Sequence, residues 1–232
     1  MDKNEIIKFT VEAILKYAKP ERIYLYGSQV SGEAKQESDI DIAFDDPSCK
    51  DIALIKEEIE KLRTLVKVDI SNMAFSEERF RDRVKSTGKV LYSASKKLRA
   101  EDALYNFEKA LSRLVAAIDN NQQLKNDGYE DFLCDLLVKR FEFTYEMAWK
   151  AIKRYLDLLG ISALNPRSCF KEAYAQKIIT EQEIWLDMIE SRNLSSHVYD
   201  ASQITPILSK IDSYRTAFKS LQSALKDGLA NA

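Results

Sequence analysis

Residues 38–44, with the sequence Ser-Asp-Ile-Asp-Ile-Ala-Phe, decide the fold of the first part of this chain. Their alternation of polar and apolar residues predicts a β-strand, because successive side chains of a strand point to opposite faces. The two isoleucines and the phenylalanine are expected to enter a core, so Asp39 and Asp41 emerge together on the other face. Adjacent carboxylates raise each other's pKa unless a cation lies between them. Their hard oxygen atoms suit Mg²⁺, which takes its remaining ligands from water and from substrate phosphates, so a nucleotide is the expected third component.

The segments on either side of this strand predict a small α/β unit. Upstream, a short β-rich run over residues 22–26 ends at Gly27-Ser28, which we interpret as a turn that grips phosphate. Downstream, residues 65–71 alternate in the same way and place Asp69 on the polar face of a third strand. The other elements predicted here are helices over residues 3–19, 51–65 and 76–84, the last with Ser76 as its N-cap, and an edge strand over 90–92.

The remainder of the chain predicts an all-α bundle. The chain has 232 residues, which is room for one large domain or two small ones, and we place the domains at 1–95 and 96–232. After residue 100 no strand pattern appears, and apolar residues recur at helical spacing. The helices predicted in this part cover residues 101–119, 129–159, 167–177, 181–191 and 203–226.

Composition bounds the possible classes of function. A hydrophobic fraction of 45%, a charged fraction of 31% and a formal net charge of −2 describe an ordinary soluble domain. Neither half is strongly basic, so the overall charge does not favour sequence-independent binding of nucleic acid, although local basic patches stay possible. The start of the chain has no signal-peptide pattern, and no apolar run is long enough to cross a membrane. Three widely spaced cysteines predict reduced thiols in a cytoplasmic protein.

The motif around the first two acids resembles that of minimal bacterial nucleotidyltransferases, which have the polymerase-β-type fold. The residues that match its pattern are Gly27, Ser28, Gly32, Ser38, Asp39 and Asp41. The resemblance implies that Asp39, Asp41 and Asp69 bind Mg²⁺, that Asp69 also assists attack on the α-phosphorus of ATP, and that the glycine-serine turn and Ser38 bind the nucleotide. Two metal ions that clamp an in-line phosphoryl displacement are sound chemistry for such a site. Many minimal members carry an arginine in the loop after Gly-Ser, whereas this loop has Lys35 as its nearest cation.

A second cluster of chemically capable residues is Arg192-Asn-Leu-Ser-Ser-His197-Val-Tyr199, which holds the only histidine of the chain. Residue types alone favour a structural interpretation, in which the histidine caps a helix end and the tyrosine packs. Positions five apart lie roughly 140° apart on a regular helix. Arg192 and His197 therefore share a face only if the helix bends or ends between them, or if a second subunit supplies the partner.

The spacing Arg-x4-His-x-Tyr resembles the signature of HEPN domains, helical bundles that include ribonuclease toxins. Residues 141–150 and 183–190 also resemble the helical nucleotidyltransferase substrate-binding subfamily. These resemblances imply metal-independent RNA cleavage by Arg192, Asn193 and His197, with two copies of the motif paired across a homodimer. HEPN proteins and minimal nucleotidyltransferases commonly form toxin–antitoxin pairs, in which the transferase adds AMP to the signature tyrosine and silences the ribonuclease.

The leading hypothesis is therefore a fused toxin–antitoxin protein with ATP as the donor and Tyr199 as the acceptor. In a second interpretation the helical half binds a substrate, and the transferase modifies a small molecule or another protein. In a third, the chain is a dimeric binding module that responds to nucleotides without catalysis. If the acceptor is another molecule, Tyr199→Phe should leave the transferase activity unchanged. If the chain is a binding module, it should bind ATP without release of pyrophosphate.

Overall fold

The described part of the chain divides into two compact units, Met1–Leu98 and Arg99–Ala232. The first is a small mixed sheet with helices and the second is helical, which confirms the two predicted fold classes. No helix of the described residues combines the length and apolarity needed to cross a membrane. The computed structural model describes residues 1–32, 38–121, 126, 130–195 and 206–232.

The first unit is built on a four-stranded sheet in the order β3-β2-β1-β4. Strands β2 and β3 are parallel, whereas β1 pairs antiparallel with both β2 and β4. Because β2 and β3 run in the same direction, residues at matching positions lie side by side, and Asp41 is paired with Asp69. The strands are β1 Arg22–Tyr26, β2 Ile40–Phe44, β3 Val68–Asn72 and β4 Lys89–Ser93.

Helices cover both faces of this sheet. The two isoleucines and the phenylalanine of β2 are fully buried in the core that α1 and α3 cover, as the alternation predicted. Val84 of α4 packs with Tyr24 on the opposite face. The N-cap predicted for α4 is wrong: Glu77 holds that position, while the Ser76 hydroxyl donates to the Asn72 carbonyl at the end of a 3-10 turn. The helices of the unit are α1 Lys3–Tyr17, α2 Ser28–Ser31, α3 Ala53–Glu60 and α4 Glu78–Thr87.

A buried carboxylate forms hydrogen bonds that hold the backbone in place just beyond the end of β2. Asp46, only 4% exposed, accepts hydrogen bonds from the Lys19 backbone N–H at 2.7 Å and from the Ser48 N–H and hydroxyl at 2.8 and 2.6 Å. Burial alone would raise its pKa, but these bonds hold the pKa below its usual value. The Asn72 side chain in turn donates to the carbonyls of Asp46 and Cys49, which joins the ends of β2 and β3.

The second unit is a helical bundle with an aromatic core. Phe141 stacks on Tyr214 with 5.0 Å between ring centroids, and Trp185 meets Phe218 edge to face at 5.7 Å. The apolar positions that sequence places along the 129–159 helix are thus largely used in packing within the chain. The helices are α5 Lys96–Asp119, α6 Glu130–Leu158, α7 Pro166–Ala175, α8 Gln182–Ser195 and α9 Ile211–Ala230; residues 203–205, predicted to begin the last one, lie outside the described residues.

Candidate functional site

Three carboxylates form one electrostatically coupled group on β2 and β3. Asp41 and Asp69 occupy paired positions on the two parallel strands, and Asp39 directly precedes β2. Asp41 is half-buried, while the side chains of Asp39 and Asp69 are each 48% exposed. Burial, followed by the negative charges of Asp69 and Asp39, raises the pKa of Asp41. The fold thus holds three like charges close together.

A lysine ammonium already lies between two of these acids. Lys67 Nζ donates to Asp69 Oδ2 at 2.7 Å and is 3.9 Å from Asp39 Oδ2. The hydrogen bond to Asp69 raises the pKa of Lys67. No three His, Cys, Asp or Glu side chains of the described residues converge closely enough to hold a metal ion as they stand. The oxygen donor set nevertheless fits Mg²⁺, because it already attracts a cation and two of its carboxylates are exposed enough to rotate.

Gly27 brings the turn after β1 directly against Asp41. Its φ of 72° and ψ of −150° belong to a region that residues with a side chain rarely adopt. A Cβ built at this position would overlap the Asp41 carboxylate. The sequence predicts that the backbone of this glycine approaches a phosphate, and that role stays a prediction. In the structure, the group packed against Gly27 is the carboxylate of Asp41, the second acid of the motif.

Gln29 lies at the start of the connection from this turn to β2 and forms hydrogen bonds with the backbone at its end. Its Nε2 donates to the carbonyls of Ser38 and Asp39, both at 3.1 Å, and Lys3 Nζ reaches the Ser38 carbonyl at 3.3 Å. Gln29 thus holds the backbone of the first acid in place. Lys35 lies outside the described residues.

A cavity of about 640 Å³ opens beside Asp41, and helix α4 forms one wall of it. Arg83 and Thr87 line this wall, and the Arg83 guanidinium lies 5.5 Å from the centroid of the Phe80 ring. Sequence reasoning missed both residues, although they flank the buried Val84 on a helix that could be recognised. The full lining is Tyr26, Gly27, Ser28, Val30, Asp41, Arg83, Val84 and Thr87.

In the helical unit, Arg192 lies in the last turns of α8 and is held from α6. Its Nη2 forms an ion pair with Glu146 Oε1 at 3.2 Å, and the other Glu146 oxygen accepts a hydrogen bond from Trp149 Nε1 at 2.9 Å. Glu146 was not recognised as a site residue, although it falls in the 141–150 segment that carries the family resemblance. The ion pair keeps the guanidinium in place without neutralising it through proton transfer.

The rest of the Arg192–Tyr199 cluster is described only in part. Asn193 is an exposed residue of the last turn of α8, and that helix ends, within the described residues, at Ser195. His197 and Tyr199 lie outside the described residues. The structure therefore places Arg192 and Asn193 on one helix, and the predicted roles of the four residues stay predictions.

Comparison with protein families gives one match for each unit. The family described as "Nucleotidyltransferase substrate binding protein like" matches residues 102–227, more than half of the chain. The family "Polymerase beta, Nucleotidyltransferase" matches residues 8–97, which include the three acids, the glycine-serine turn and α4. The two matches agree with the family resemblances that the sequence motifs indicated.

Individual relatives resemble only part of the chain. A protein of Haemophilus influenzae named "Probable ribonuclease HepT" is 29% identical over 90 residues, which are 37% of this chain and 62% of that protein. This chain therefore spans less than two thirds of the length of that relative. A Haemophilus influenzae structure described as a substrate binding domain of a nucleotidyltransferase aligns over 53% of this chain and 98% of its own, with 22% identity and a TM-score of 0.47. A Thermus thermophilus structure aligns over 51% of this chain and 98% of its own, with 23% identity and a TM-score of 0.42.

Proposed function

This chain belongs to the nucleotidyltransferase substrate binding protein like family and carries a polymerase beta type nucleotidyltransferase domain before it; from this premise we propose that it is a fused toxin–antitoxin protein. Its first unit transfers AMP from ATP to Tyr199, and the modification silences a ribonuclease in the helical unit. The observation that carries the proposal is the pairing of Asp41 with Asp69, against Gly27 and beside a cavity that Arg83 lines.

The proposed reaction is an in-line displacement at the α-phosphorus of ATP. The phenol oxygen of Tyr199 forms a bond to phosphorus, the bond to the oxygen that bridges to the β-phosphorus breaks, and pyrophosphate leaves. The phenol has an ordinary pKa of about 10 and is a poor nucleophile, so we assign its proton to the exposed carboxylate of Asp69. Asp39, Asp41 and Asp69 would hold Mg²⁺, which would supply positive charge to neutralise the phosphate oxygens.

Arg83 supplies positive charge beside the glycine-serine turn. Its side chain lines the same cavity as Gly27, Ser28 and Asp41, although it comes from α4. A guanidinium keeps its charge at any physiological pH and can bind two phosphate oxygens at once. Arg83 therefore binds the β- and γ-phosphates of ATP, and the Ser28 hydroxyl adds a further hydrogen bond to the nucleotide. Ser38 is the other proposed nucleotide-binding residue, and Gln29 donates a hydrogen bond to its backbone carbonyl.

The silencing step follows from charge and position. Tyr199 is two residues from His197 in sequence, so an AMP group on its oxygen adds a bulky anion beside the proposed general base. Arg192, held by Glu146, is the proposed phosphate-binding residue, and Asn193 orients the same group. RNA would be the substrate of the unmodified protein, and a homodimer would bring two such motifs together. The resemblance of part of the chain to a probable ribonuclease supports this half of the proposal.

A second candidate function keeps the transferase and changes the acceptor. The matching family is described as substrate binding, which favours a helical unit that presents a small molecule or another protein to the first unit. The acids, the turn and Arg83 have the same roles in both candidates. The two differ only in whether Tyr199 is required.

Release of pyrophosphate distinguishes the candidates. We expect the purified protein with ATP and Mg²⁺ to release pyrophosphate in a burst that ends when Tyr199 is modified, and mass spectrometry of its peptides should locate AMP on that residue. Tyr199→Phe should remove the burst. A burst that survives in Tyr199→Phe would place the AMP on another residue, and release of pyrophosphate only after an acceptor is added would favour the second candidate. ATP binding without release of pyrophosphate, with or without added acceptors, would contradict both candidates.

A further inference from the structure

A groove lies between α7 and α8, and none of the residues that line it has a role in the proposed function. Each helix contributes one side of it through residues at positions i, i+3, i+4 and i+7, which lie on a single helix face. The cavity is about 380 Å³, within the roughly 300–1,000 Å³ of small-molecule sites. It is therefore large enough to hold a ligand.

The floor of the groove is apolar and aromatic. Phe170 and Trp185 are both almost fully buried, and their ring centroids are 4.9 Å apart. Buried Ile179 adds to the floor, and the half-buried Leu186 and Ile189 continue it along α8. A flat apolar ring fits such a floor better than a hydrated ion does.

The rim of the groove is positive. Arg167 and Lys171 lie one turn apart on α7 and are exposed, and no ion pair joins either of them to another described residue. The other polar residues of the lining are Tyr174 and Gln182, so the lining contains no carboxylate. A ligand that fits both parts has a flat ring and a negative group.

We propose that this groove binds one nucleotide unit, with its base on the aromatic floor and its phosphate on Arg167 and Lys171. Base stacking on aromatic side chains and phosphate binding by cations are the two interactions that proteins combine to hold single-stranded nucleic acid. Arg192 lies on the same side of α8 as Trp185, because residues seven apart are roughly two helical turns apart. The unit comes either from a free mononucleotide or from a strand of RNA that continues toward Arg192.

The test uses Trp185 as the reporter. The chain has two tryptophans, so Trp149→Phe leaves Trp185 as the only one in the full-length protein. This variant is titrated with AMP and, separately, with a short single-stranded oligoadenylate while the tryptophan fluorescence is recorded. A saturable change with the oligonucleotide alone identifies RNA as the source, and a change that AMP produces equally well identifies the free nucleotide.

Matched variants separate the groove from the general charge of the protein. Arg167→Gln/Lys171→Gln should weaken binding about tenfold or more, because two charged contacts to phosphate are lost. Lys177→Gln/Lys219→Gln removes two exposed lysines that do not line the groove and should leave binding unchanged. Tyr174→Ala removes the exposed aromatic ring beside the floor of the groove and should weaken binding roughly five- to a hundredfold.

Three results would overturn the proposal: no saturable change with either ligand, an equal loss in both charge pairs, or saturation only by an acidic helical peptide. The last result would assign the groove to a protein partner.

Discussion

Two carboxylates near the opposite ends of strand β2 have opposite surroundings. Asp46, just past the end of the strand, is buried among hydrogen-bond donors that lower its pKa. Asp41, near its start, is pressed against Gly27, and burial with the charges of Asp69 and Asp39 raises its pKa. The surroundings of Asp46 favour its charged form, whereas those of Asp41 disfavour its charged form. This difference indicates which of the two is kept for chemistry, since perturbed groups that weaken a fold concentrate at functional sites.

The largest expected effect is the loss of nucleotidyl transfer in Asp41→Asn. The amide cannot bind a divalent cation as a carboxylate does, so we expect transfer to fall roughly 100- to 1,000-fold. The measurement is pyrophosphate release from ATP at saturating Mg²⁺. Asp46→Asn, just past the end of the same strand, is the matched control, and it should retain transfer under conditions in which it is folded. Equal losses in the two variants would remove the distinction between the two acids.

Gly27→Ala should damage both the fold and the site. The backbone conformation disfavours a side chain by about 1–3 kcal/mol, and the new methyl group would displace the Asp41 carboxylate. We expect the free energy of unfolding to fall by that amount in urea titrations and transfer to be largely lost. Gly32→Ala, at a positive φ with open space around the added carbon, is the control for backbone strain alone. If both alanines reduced transfer equally, contact with Asp41 would not be the cause.

Asp46→Asn should lower the free energy of unfolding by about 2 kcal/mol, because an amide cannot accept from all the donors around it. The carboxylate's pKa is lowered in the folded state, so its contribution is present above its unfolded pKa and is lost as pH falls through the folded value. Urea titrations across pH would therefore show the difference from wild type shrinking in acid. A difference that does not change with pH would contradict this assignment.

Arg83→Gln should raise the KM for ATP about tenfold with a smaller effect on kcat, because a charged contact to phosphate is lost on the Asp41 side of the sheet. Arg79→Gln, an exposed arginine of the same helix that does not line the cavity, should leave KM unchanged. The rate of the pyrophosphate burst, measured as a function of ATP concentration, gives both values: KM is the ATP concentration at half the maximal rate, and kcat is the maximal single-turnover rate. An unchanged KM in Arg83→Gln would remove that residue from the nucleotide site.

The smallest expected effect is a gain in the free energy of unfolding, whereas Asp46→Asn is expected to lower it. Asp41→Asn should raise the free energy of unfolding at neutral pH by about 0.2–1 kcal/mol, because like charges on neighbouring strands repel. The pKa of Asp41 is raised in the folded state, so its ionisation begins to cost stability as pH rises above the unfolded value. The gain over wild type should therefore disappear in acid, where both side chains are neutral. A destabilised Asp41→Asn protein at pH 7 would contradict the repulsion.

The sequence predicted most of what alternation and motif spacing determine. The burial of Ile40, Ile42 and Phe44 followed from a period of two, and the two fold classes from the absence of strand patterns after residue 100. Arg83 and Glu146 were missed because their importance comes from contacts between elements distant in sequence, which periodicity does not encode. Ser76 was misassigned because a 3-10 turn before α4 used its hydroxyl group.

The intact mass of the purified protein, before and after incubation with ATP and Mg²⁺, tests the central claim most directly. Asp39→Ala/Asp41→Ala and Tyr199→Phe variants are measured alongside. The account predicts that wild type gains mass in steps of one AMP and that neither variant does. A gain that persists in the double aspartate variant, or no gain in wild type while an added acceptor is modified, would contradict self-modification by these acids.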